Sequence, residues 1–404
     1  MASVGRKAGQ GEATAVAVAH PAGILSPEDR QVLERFAPYL QYDAQDGYRA
    51  VSAATMTDPP CNCLASGSGA PIAGKGTVVE LNLDVLAKYP NPYEFANGDH
   101  LNSAPNPLED AVKYQRDPRF PHCTYGRVAR REGRAWLEYW LWYYDNPKKF
   151  FGQGRHQGDW EMVIVEVGPD GEPRTVTCSQ HNAGEARRWD RVDKREGRPL
   201  IYVAPFSHAN YFEPGTHFYF PGADHPTSQG PCRRPEVAEF GAWQSWRGRW
   251  GATLGPLRGR LNIWGTSPEA PVAQSSRWAR PWTYHAKSVA RKPVAWFFRT
   301  LWFLGKATFP CKPELPGATL AGTEVSVPYE MPQRGLHRGR HLLLTVHSAD
   351  DTEDMLVSQA FKNAPRSGTQ VLRLPREPEG GCIVYASVFN FFGQRSDPEH
   401  VAGG

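Results

Sequence analysis

Residues 154–165 read Gly154-Arg155-His156-Gln157-Gly158-Asp159-Trp160-Glu161-Met162-Val163-Ile164-Val165, and their second half is the clearest strand signal in the chain. β-branched and apolar residues between glycine-containing turns are typical of a buried strand. Because successive strand side chains point to opposite faces, Asp159 and Glu161 share one face and Trp160 lies on the other. Two carboxylates therefore project together from the start of the strand, with His156 just before them.

Two carboxylates held side by side need a cation or a shared proton. Together with one imidazole they offer the oxygen and nitrogen ligands that many divalent metals accept. We therefore predict a bound divalent cation, Mg²⁺, Ca²⁺ or Mn²⁺, with His156, Asp159 and Glu161 as its ligands, because a set without thiolate disfavours softer metals. The alternative is a structural turn in which Asp159 caps backbone amides and Glu161 pairs with an arginine.

The composition favours a mainly β protein with several domains. The chain has 404 residues, of which 22% are charged and 40% hydrophobic, as in folded globular proteins of two or three domains. Its 13 Trp, 36 Pro and 39 Gly indicate aromatic strands joined by turns. A net charge of +4 argues against a dedicated nucleic-acid binder. The seven cysteines have the spacing of neither a disulfide framework nor a zinc knuckle.

The chain divides into four predicted parts. Residues 1–26 form a flexible leader without the apolar run of a secretory signal, so a cytoplasmic location is expected. Residues 27–284 form an antiparallel β-sandwich with helical and loop insertions, and this core carries the site. Residues 285–316 are an apolar helix and a proline-rich linker, and 317–404 an immunoglobulin- or fibronectin III-like β-module. Segment 294–306 falls short of the ~20 residues that span a bilayer, so no transmembrane segment is expected and the segment is either buried or a peripheral membrane contact.

Several elements can be placed from local patterns. A helix is expected to open at Ser26-Pro27 and to run through Leu40, because serine caps and an early proline suits the first turn. Alternating apolar residues predict a strand at 78–83. Longer strands are expected at 135–144, 160–167, 174–181 and 199–204.

Other polar and aromatic residues end strands near the predicted cluster. An isolated histidine in such a place is more often hydrogen-bonded structure than a ligand, so they are candidates for the cavity rather than assigned ligands. They are Asp145, His181, Glu185 and His208, with Trp142 and Tyr211 as aromatic walls for a sugar ring.

Ordered motifs then suggest a family. They are Gly154-x-His156-x-Gly158-Asp159-Trp160-Glu161, Ser179-Gln180-His181 and Ser207-His208-Ala209-x-Tyr211. In this order they resemble the vacuolar-protein-sorting sixty-two-like family, and the resemblance covers roughly residues 35–283.

The same hallmark is similar, more distantly, to the necrosis-inducing, ethylene-inducing-peptide-like toxins. In those proteins His, Asp and Glu line a cavity on a β-sandwich, and the cation bound there helps to engage sphingolipid sugar headgroups. The resemblance implies metal-binding roles for His156, Asp159 and Glu161 and a cavity position for His208. The chain departs from the toxin pattern at Gln157-Gly158, in lacking a secretion signal and in its cysteine placement.

Three functions fit these residues. The first is divalent-metal-dependent binding of a sugar or lipid headgroup. The second is a metal-dependent hydrolase of a glycan, phosphoester or lipid, with Glu161 or His208 as catalytic general base. The third is a trafficking or interaction adaptor with a structural metal. Neither a nucleophile elbow, a P-loop nor a dinucleotide fingerprint occurs in the sequence.

Overall fold

The structure is mainly β, as the composition predicts. A computed structural model describes residues 25–89, 99–102, 107–147, 156–181, 183–219, 222–252, 267–284, 310–331, 341–390 and 394–403. Most of the predicted leader and the whole apolar segment 294–306 lie outside these residues. Within the described part, no helix has the length and apolar character needed to cross a membrane.

Long strands form two groups, and the helices are short. The α-helices are α1 Pro27–Phe36, α2 Leu83–Leu86, α3 Pro107–Gln115 and α4 Ser275–Trp278. Further 3-10 helices are Ala53–Met56, Trp189–Arg191, Ala242–Ser245, Pro271–Ala273 and Pro281–Thr283. The strands are β1 Tyr39–Gln41, β2 Cys63–Ala65, β3 Pro71–Gly74, β4 His100–Asn102, β5 Cys123–Arg131, β6 Arg134–Asn146, β7 His156–Val167, β8 Pro173–Gln180, β9 Ala183–Arg188, β10 Lys194–Arg195, β11 Arg198–Val203, β12 Asn210–Tyr211, β13 His217–Tyr219, β14 Gly222–Asp224, β15 Cys232–Arg233, β16 Glu236–Glu239, β17 Thr319–Ala321, β18 Glu324–Glu330, β19 His341–Ser348, β20 Met355–Lys362, β21 Ser367–Arg373, β22 Cys382–Phe389 and β23 Glu399–Gly403.

The central sheet has six strands in the order β16-β5-β6-β7-β8-β9. Its neighbours are antiparallel except for β16, which runs parallel to β5. β6 and β7 are buried along nearly their whole length, which agrees with the aromatic run of β6 and the apolar second half of β7. These strands confirm the predictions at 135–144, 160–167 and 174–181.

A second sheet completes the core. Its strands follow the order β10-β11-β1-β15, and β12 also pairs with β11. Leu40 and Ile201 of this sheet share one hydrophobic cluster with Tyr139 and Val163 of the central sheet. The two sheets enclose a common core, which confirms the predicted sandwich architecture.

Two local predictions are wrong near the start of the chain. Helix α1 begins as expected, with the Ser26 hydroxyl accepting the Asp29 amide at 3.0 Å, but it ends at Phe36. Pro38 forces the preceding residue into an extended conformation, and Leu40 therefore lies in β1. The strand predicted at 78–83 is absent as well, since Asn82 caps α2 by accepting the Val85 amide at 2.9 Å.

The C-terminal module is a sandwich with a core of its own. A three-stranded sheet, β17-β18-β21, is complemented by a four-stranded sheet, β20-β19-β22-β23. Val325, Leu344 and Val384 lie in its hydrophobic cluster, which is separate from that of the larger core. The three-plus-four arrangement confirms the predicted immunoglobulin-like architecture.

We expect Trp160→Ala to destabilise the protein strongly. The Trp160 ring is 2% exposed and packs against Trp142 and Trp250, with ring centroids 5.0 and 5.3 Å apart. Truncating such a side chain costs about 3–5 kcal/mol of unfolding free energy, measurable by urea denaturation. The half-buried Trp189 is the matched control, and Trp189→Ala should cost clearly less. Equal losses in the two variants would contradict the placement of Trp160 in the core.

We also expect a fragment of residues 310–404 to unfold cooperatively by itself. The reason is that its apolar cluster is complete without the larger core. A thermal melt followed by circular dichroism measures this. A gradual, coil-like signal would contradict the prediction.

Candidate functional site

The start of β7 is shaped by Gly158. Its φ angle is +65°, and a Cβ atom there would lie 2.2 Å from the Trp250 carbonyl oxygen and 2.3 Å from the Trp142 ring. Glycine is therefore required both by the left-handed backbone and by the close approach. Downstream, Asp159 and Glu161 lie on the face opposite Trp142, because Trp142 pairs with Trp160.

Asp159 and His208 form the centre of the site. The Asp159 Oδ2 atom lies 3.2 Å from His208 Nδ1 and accepts a hydrogen bond from Asn146 Nδ2 at 3.2 Å. His208 has no exposed surface and stacks on Tyr143, with ring centroids 4.0 Å apart and planes 2° from parallel. Burial alone would raise the pKa of Asp159, but the hydrogen bond with His208 and the nearby charge of His156 hold it below its ordinary value.

Glu161 is buried beside this pair. It accepts a hydrogen bond from the Ser179 hydroxyl, whose oxygen also accepts the Met162 amide at 2.7 Å. Burial and the negative charge of Asp159 raise the pKa of Glu161 well above its usual range. Asp159 thus favours the ionised form and Glu161 the protonated form. Neighbouring acids behave in this way when they share a proton or when a cation site between them is empty.

Asp224 holds two of the loops around the site. Its carboxylate lies 2.7 Å from His181 Nε2 and accepts hydrogen bonds from the Tyr211 and Ser207 hydroxyls at 2.7 and 2.8 Å. His181 has a φ angle of +53°, a strained conformation that this contact helps to fix. Asp224 itself is 3% exposed. Sequence reasoning missed Asp224, because the three-residue strand that carries it has no recognisable pattern.

Asp46 approaches His208 from the other side of the imidazole. Its Oδ2 atom lies 4.0 Å from His208 Nε2 and accepts the Phe206 amide at 3.1 Å, while Oδ1 accepts the Tyr48 amide at 3.0 Å. Burial raises the pKa of Asp46. His208 therefore lies between two buried carboxylates. Asp46 comes from a loop without a motif, and sequence reasoning missed it too.

Arg277 brings a positive charge to the acids. Its guanidinium donates to the His181 carbonyl oxygen and lies 5.1 Å from the centre of the Tyr284 ring. This charge offsets part of the burial and of the Asp159 repulsion that raise the pKa of Glu161. Sequence reasoning missed Arg277 too, because it lies in a four-residue helix without a recognisable motif.

The remaining sequence candidates lie in different places. Asp145 is fully buried at the end of β6, opposite Gln157. The ring of His156 folds back on its own strand, with Nδ1 2.7 Å from the Gly158 carbonyl oxygen.

One candidate lies on the opposite face of the sheet, which corrects its expected placement. Trp142 points to the aromatic core, where its Nε1 donates to Thr55 at 3.0 Å, and it therefore cannot form a wall of the site. The Glu185 carboxylate accepts from Arg187 Nε at 2.9 Å and from the Gln180 amide at 3.3 Å, and its place in the cavity stays a prediction.

The donor chemistry of the cluster suits a cation that takes oxygen and nitrogen ligands. Across the residues that the structure describes, however, no three His, Cys, Asp or Glu side chains converge as a ready metal site. The chain next to β7, residues 148–155, lies outside those residues. A metal at His156, Asp159 and Glu161 therefore stays a prediction.

The helix that carries Arg277 is held to the sheet by a half-buried ion pair. Arg127 donates to the Trp278 carbonyl oxygen at 2.7 Å, and its guanidinium lies 4.5 Å from the centre of the Trp278 ring. Arg127 is paired with Glu138, which has no exposed surface and also accepts from Trp140 Nε1 at 2.9 Å. Burial raises the pKa of Glu138 to about 7 despite the Arg127 charge.

We expect Glu138→Gln to weaken the pH dependence of stability. A folded-state pKa of about 7 exceeds the ordinary value of 4.5, so the contribution of the neutral acid is complete below pH 4.5 and is lost as the pH rises through 7. The wild type should therefore lose more unfolding free energy than the variant between pH 5 and pH 8, as measured by urea denaturation. Glu132→Gln, on an exposed turn, is the control. Identical pH dependence in wild type and Glu138→Gln would refute the raised pKa.

One curated relative resembles part of the chain. The vacuolar protein sorting-associated protein TDA6 of Saccharomyces cerevisiae is 28% identical over 136 residues, which cover 26% of this chain and 29% of the yeast protein. The match thus spans less than a third of that relative. No protein-family model matches the chain.

Solved structures share only a loose likeness. The non-toxic HaNLP3 protein aligns with a TM-score of 0.27 at 14% identity, over 55% of this chain and 78% of its own. NLPPya in complex with glucosamine aligns with a TM-score of 0.31 at 14% identity, over 60% and 91%. A superoxide reductase from Ignicoccus hospitalis aligns with a TM-score of 0.18 at 17% identity, over 24% and 82%. Likenesses of this size assign neither a fold nor a ligand to this chain.

Proposed function

We propose that the site at the start of β7 binds a sugar or lipid headgroup with the help of a divalent cation held by His156, Asp159 and Glu161. One observation carries the proposal, namely the clustering of buried carboxylates. Four carboxylates of the cluster are at most 7% exposed, and they are those of Asp46, Asp159, Glu161 and Asp224. The basic side chains near them are Arg49, Arg277 and the imidazoles of His156, His181 and His208.

Buried negative charge is costly unless it is neutralised. A proton on Glu161 neutralises one acid, and the cluster is then explained only as a structural feature. A cation neutralises Asp159 and Glu161 together, and when bound it supplies a positive centre for hydroxyl or phosphate oxygens. Acids with strongly perturbed pKa values cluster at functional sites, which makes this group of carboxylates a candidate site.

The surrounding residues keep the site ordered. Asp224 fixes His181 and the loop before His208, while Asp46 and Tyr143 fix the His208 ring. Because His208 is completely enclosed, a substrate from solution does not reach its ring in this conformation. This enclosure argues against His208 as the general base of a hydrolase.

A trafficking adaptor with a structural metal is the second candidate. The observation that favours it is the partial match to TDA6, a protein described as associated with vacuolar protein sorting. The two functions differ in one respect. An adaptor loses stability in chelator but binds no headgroup, whereas a headgroup-binding protein loses the ligand as well.

We expect Asp159→Asn and Glu161→Gln each to weaken cation binding at least about tenfold, a loss of ~1.4 kcal/mol. Calorimetric titration of chelator-treated protein with Mg²⁺, Ca²⁺ or Mn²⁺ measures the affinity. Glu166→Gln is the matched control on the same strand, because its carboxylate is already engaged by Arg134 at 2.7 Å and Thr175 at 2.8 Å. No cation binding by the wild type, or undiminished binding by both site variants, would overturn the proposal.

The ligand is tested by flotation with sphingolipid or anionic phospholipid vesicles and by a glycan array, each with cation and with EDTA. Binding that appears with the cation and disappears in EDTA supports the proposed function. Binding that persists in EDTA contradicts the role of the metal. Absence of all binding, together with a chelator-sensitive melting temperature, favours the adaptor.

A further inference from the structure

The C-terminal module is docked on the larger core through a buried ion pair. Arg395 contacts both carboxylate oxygens of Asp43, with Nη1 2.8 Å from Oδ2 and Nη2 3.0 Å from Oδ1. The two residues are 4% and 1% exposed. Such a bidentate arrangement fixes direction as well as distance. The module is thus held in a defined orientation and not merely in proximity.

Gln45 extends the same contact. Its side-chain amide donates to the carbonyl oxygens of Leu343 and Tyr385 at 3.3 and 3.2 Å, two residues in neighbouring strands of the module. Its oxygen accepts from Arg395 at 2.6 Å and from the Ser387 hydroxyl. Ion pairs at the rim surround this centre, and they join Arg233 to Glu353, Arg116 to Asp354 and His225 to Asp397.

The loop that receives Arg395 also carries Asp46. The Asp46 amide donates to the Asp43 carbonyl oxygen at 3.2 Å, so both acids belong to one tight turn. Behind the turn, Gly230 has a φ angle of +136°, and a Cβ atom there would lie 2.6 Å from the Ala44 nitrogen and the Tyr42 carbonyl oxygen. The turn is therefore packed too closely to shift at one end without moving at the other.

We propose that Arg395 is a positioning residue for the site, because its grip on Asp43 and Gln45 fixes the turn that places Asp46 against His208. The path runs from the module through Asp43 to Asp46, and from there through His208 to Asp159, over contacts of 2.8, 3.2, 4.0 and 3.2 Å. This inference rests on the proposed function for its consequence: docking of the module and occupation of the site by a cation are coupled, and the coupling acts in both directions.

Charge chemistry explains why the connection is made by Arg395. Burial would raise the pKa of Asp43, yet the guanidinium keeps it below its usual value, so the carboxylate stays ionised and the pair stays formed. A neutral residue in place of Arg395 leaves a buried anion that has lost its partner, and the turn must then move to let water reach it. The displacement passes to Asp46, which belongs to the same turn.

The test uses the full chain and two readouts, the ¹⁵N signals of the His208 ring and the affinity for Mg²⁺, Ca²⁺ or Mn²⁺. Arg395→Met is expected to shift the His208 signals in the same sense as Asp46→Asn and to weaken cation binding about tenfold. Arg233→Met, which removes a rim ion pair of the same interface, is expected to change neither readout. Thermal melts establish that each variant is folded.

Should Arg395→Met fail to fold, Ser387→Ala takes its place, since the Ser387 hydroxyl contacts both Gln45 and Arg395. A smaller shift of the His208 signals in the same sense is then expected. Unchanged His208 signals and unchanged affinity in a folded Arg395→Met or Ser387→Ala protein would overturn the positioning role, even where Asp159→Asn abolishes binding. If the wild type binds no cation but the His208 signals shift as expected, the positioning role stands and the proposed function falls.

Discussion

The structure around the site depends on the burial of Asp159. An ionised carboxylate in the interior must be paired, and here the partners are His208 and Asn146. Each partner needs support in turn. The His208 ring is held by stacking on Tyr143 and by Asp46, whose own carboxylate accepts two backbone amides. Removing one member of a buried charged pair typically costs ~3–5 kcal/mol, more than the pair itself contributes, which makes such a network all-or-none.

Much of the fold follows from local sequence patterns, and those parts can therefore be predicted from the sequence. The aromatic run of β6, the period-two pattern of β7 and the glycine turns decide their own structure, and the alternation correctly separates Asp159 from Trp160. The errors arise where a competing local rule acts. Pro38 ends α1 before Leu40, and the Asn82 cap starts a helix where alternating residues predicted a strand.

The site could be predicted only in part, because it is assembled by register and by distant loops. Both faces of β6 are aromatic, so no periodicity shows that Trp142 faces away from the carboxylates, and only its pairing with Trp160 decides this. Asp46, Asp224 and Arg277 lie more than 60 residues from Asp159 along the chain, or in short segments without a repeat. Asp46 and Asp224 hold the histidines beside that strand, and Arg277 offsets part of its negative charge. No local sequence pattern predicts these roles.

The interface between the two hydrophobic cores contains a strongly directional contact, the ion pair of Arg395 with Asp43. Apolar surfaces slide and adapt, since burial of apolar area is non-directional. A bidentate pair such as Arg395 with Asp43 has one geometry, and separating it returns both charges to water, which lowers the cost of opening relative to an apolar contact of similar extent. The C-terminal module is therefore attached by an interaction that is exact in direction and moderate in strength. An attachment of this kind suits a module that controls the position of Asp46. A module that only stabilised the core would not need a contact with a fixed direction.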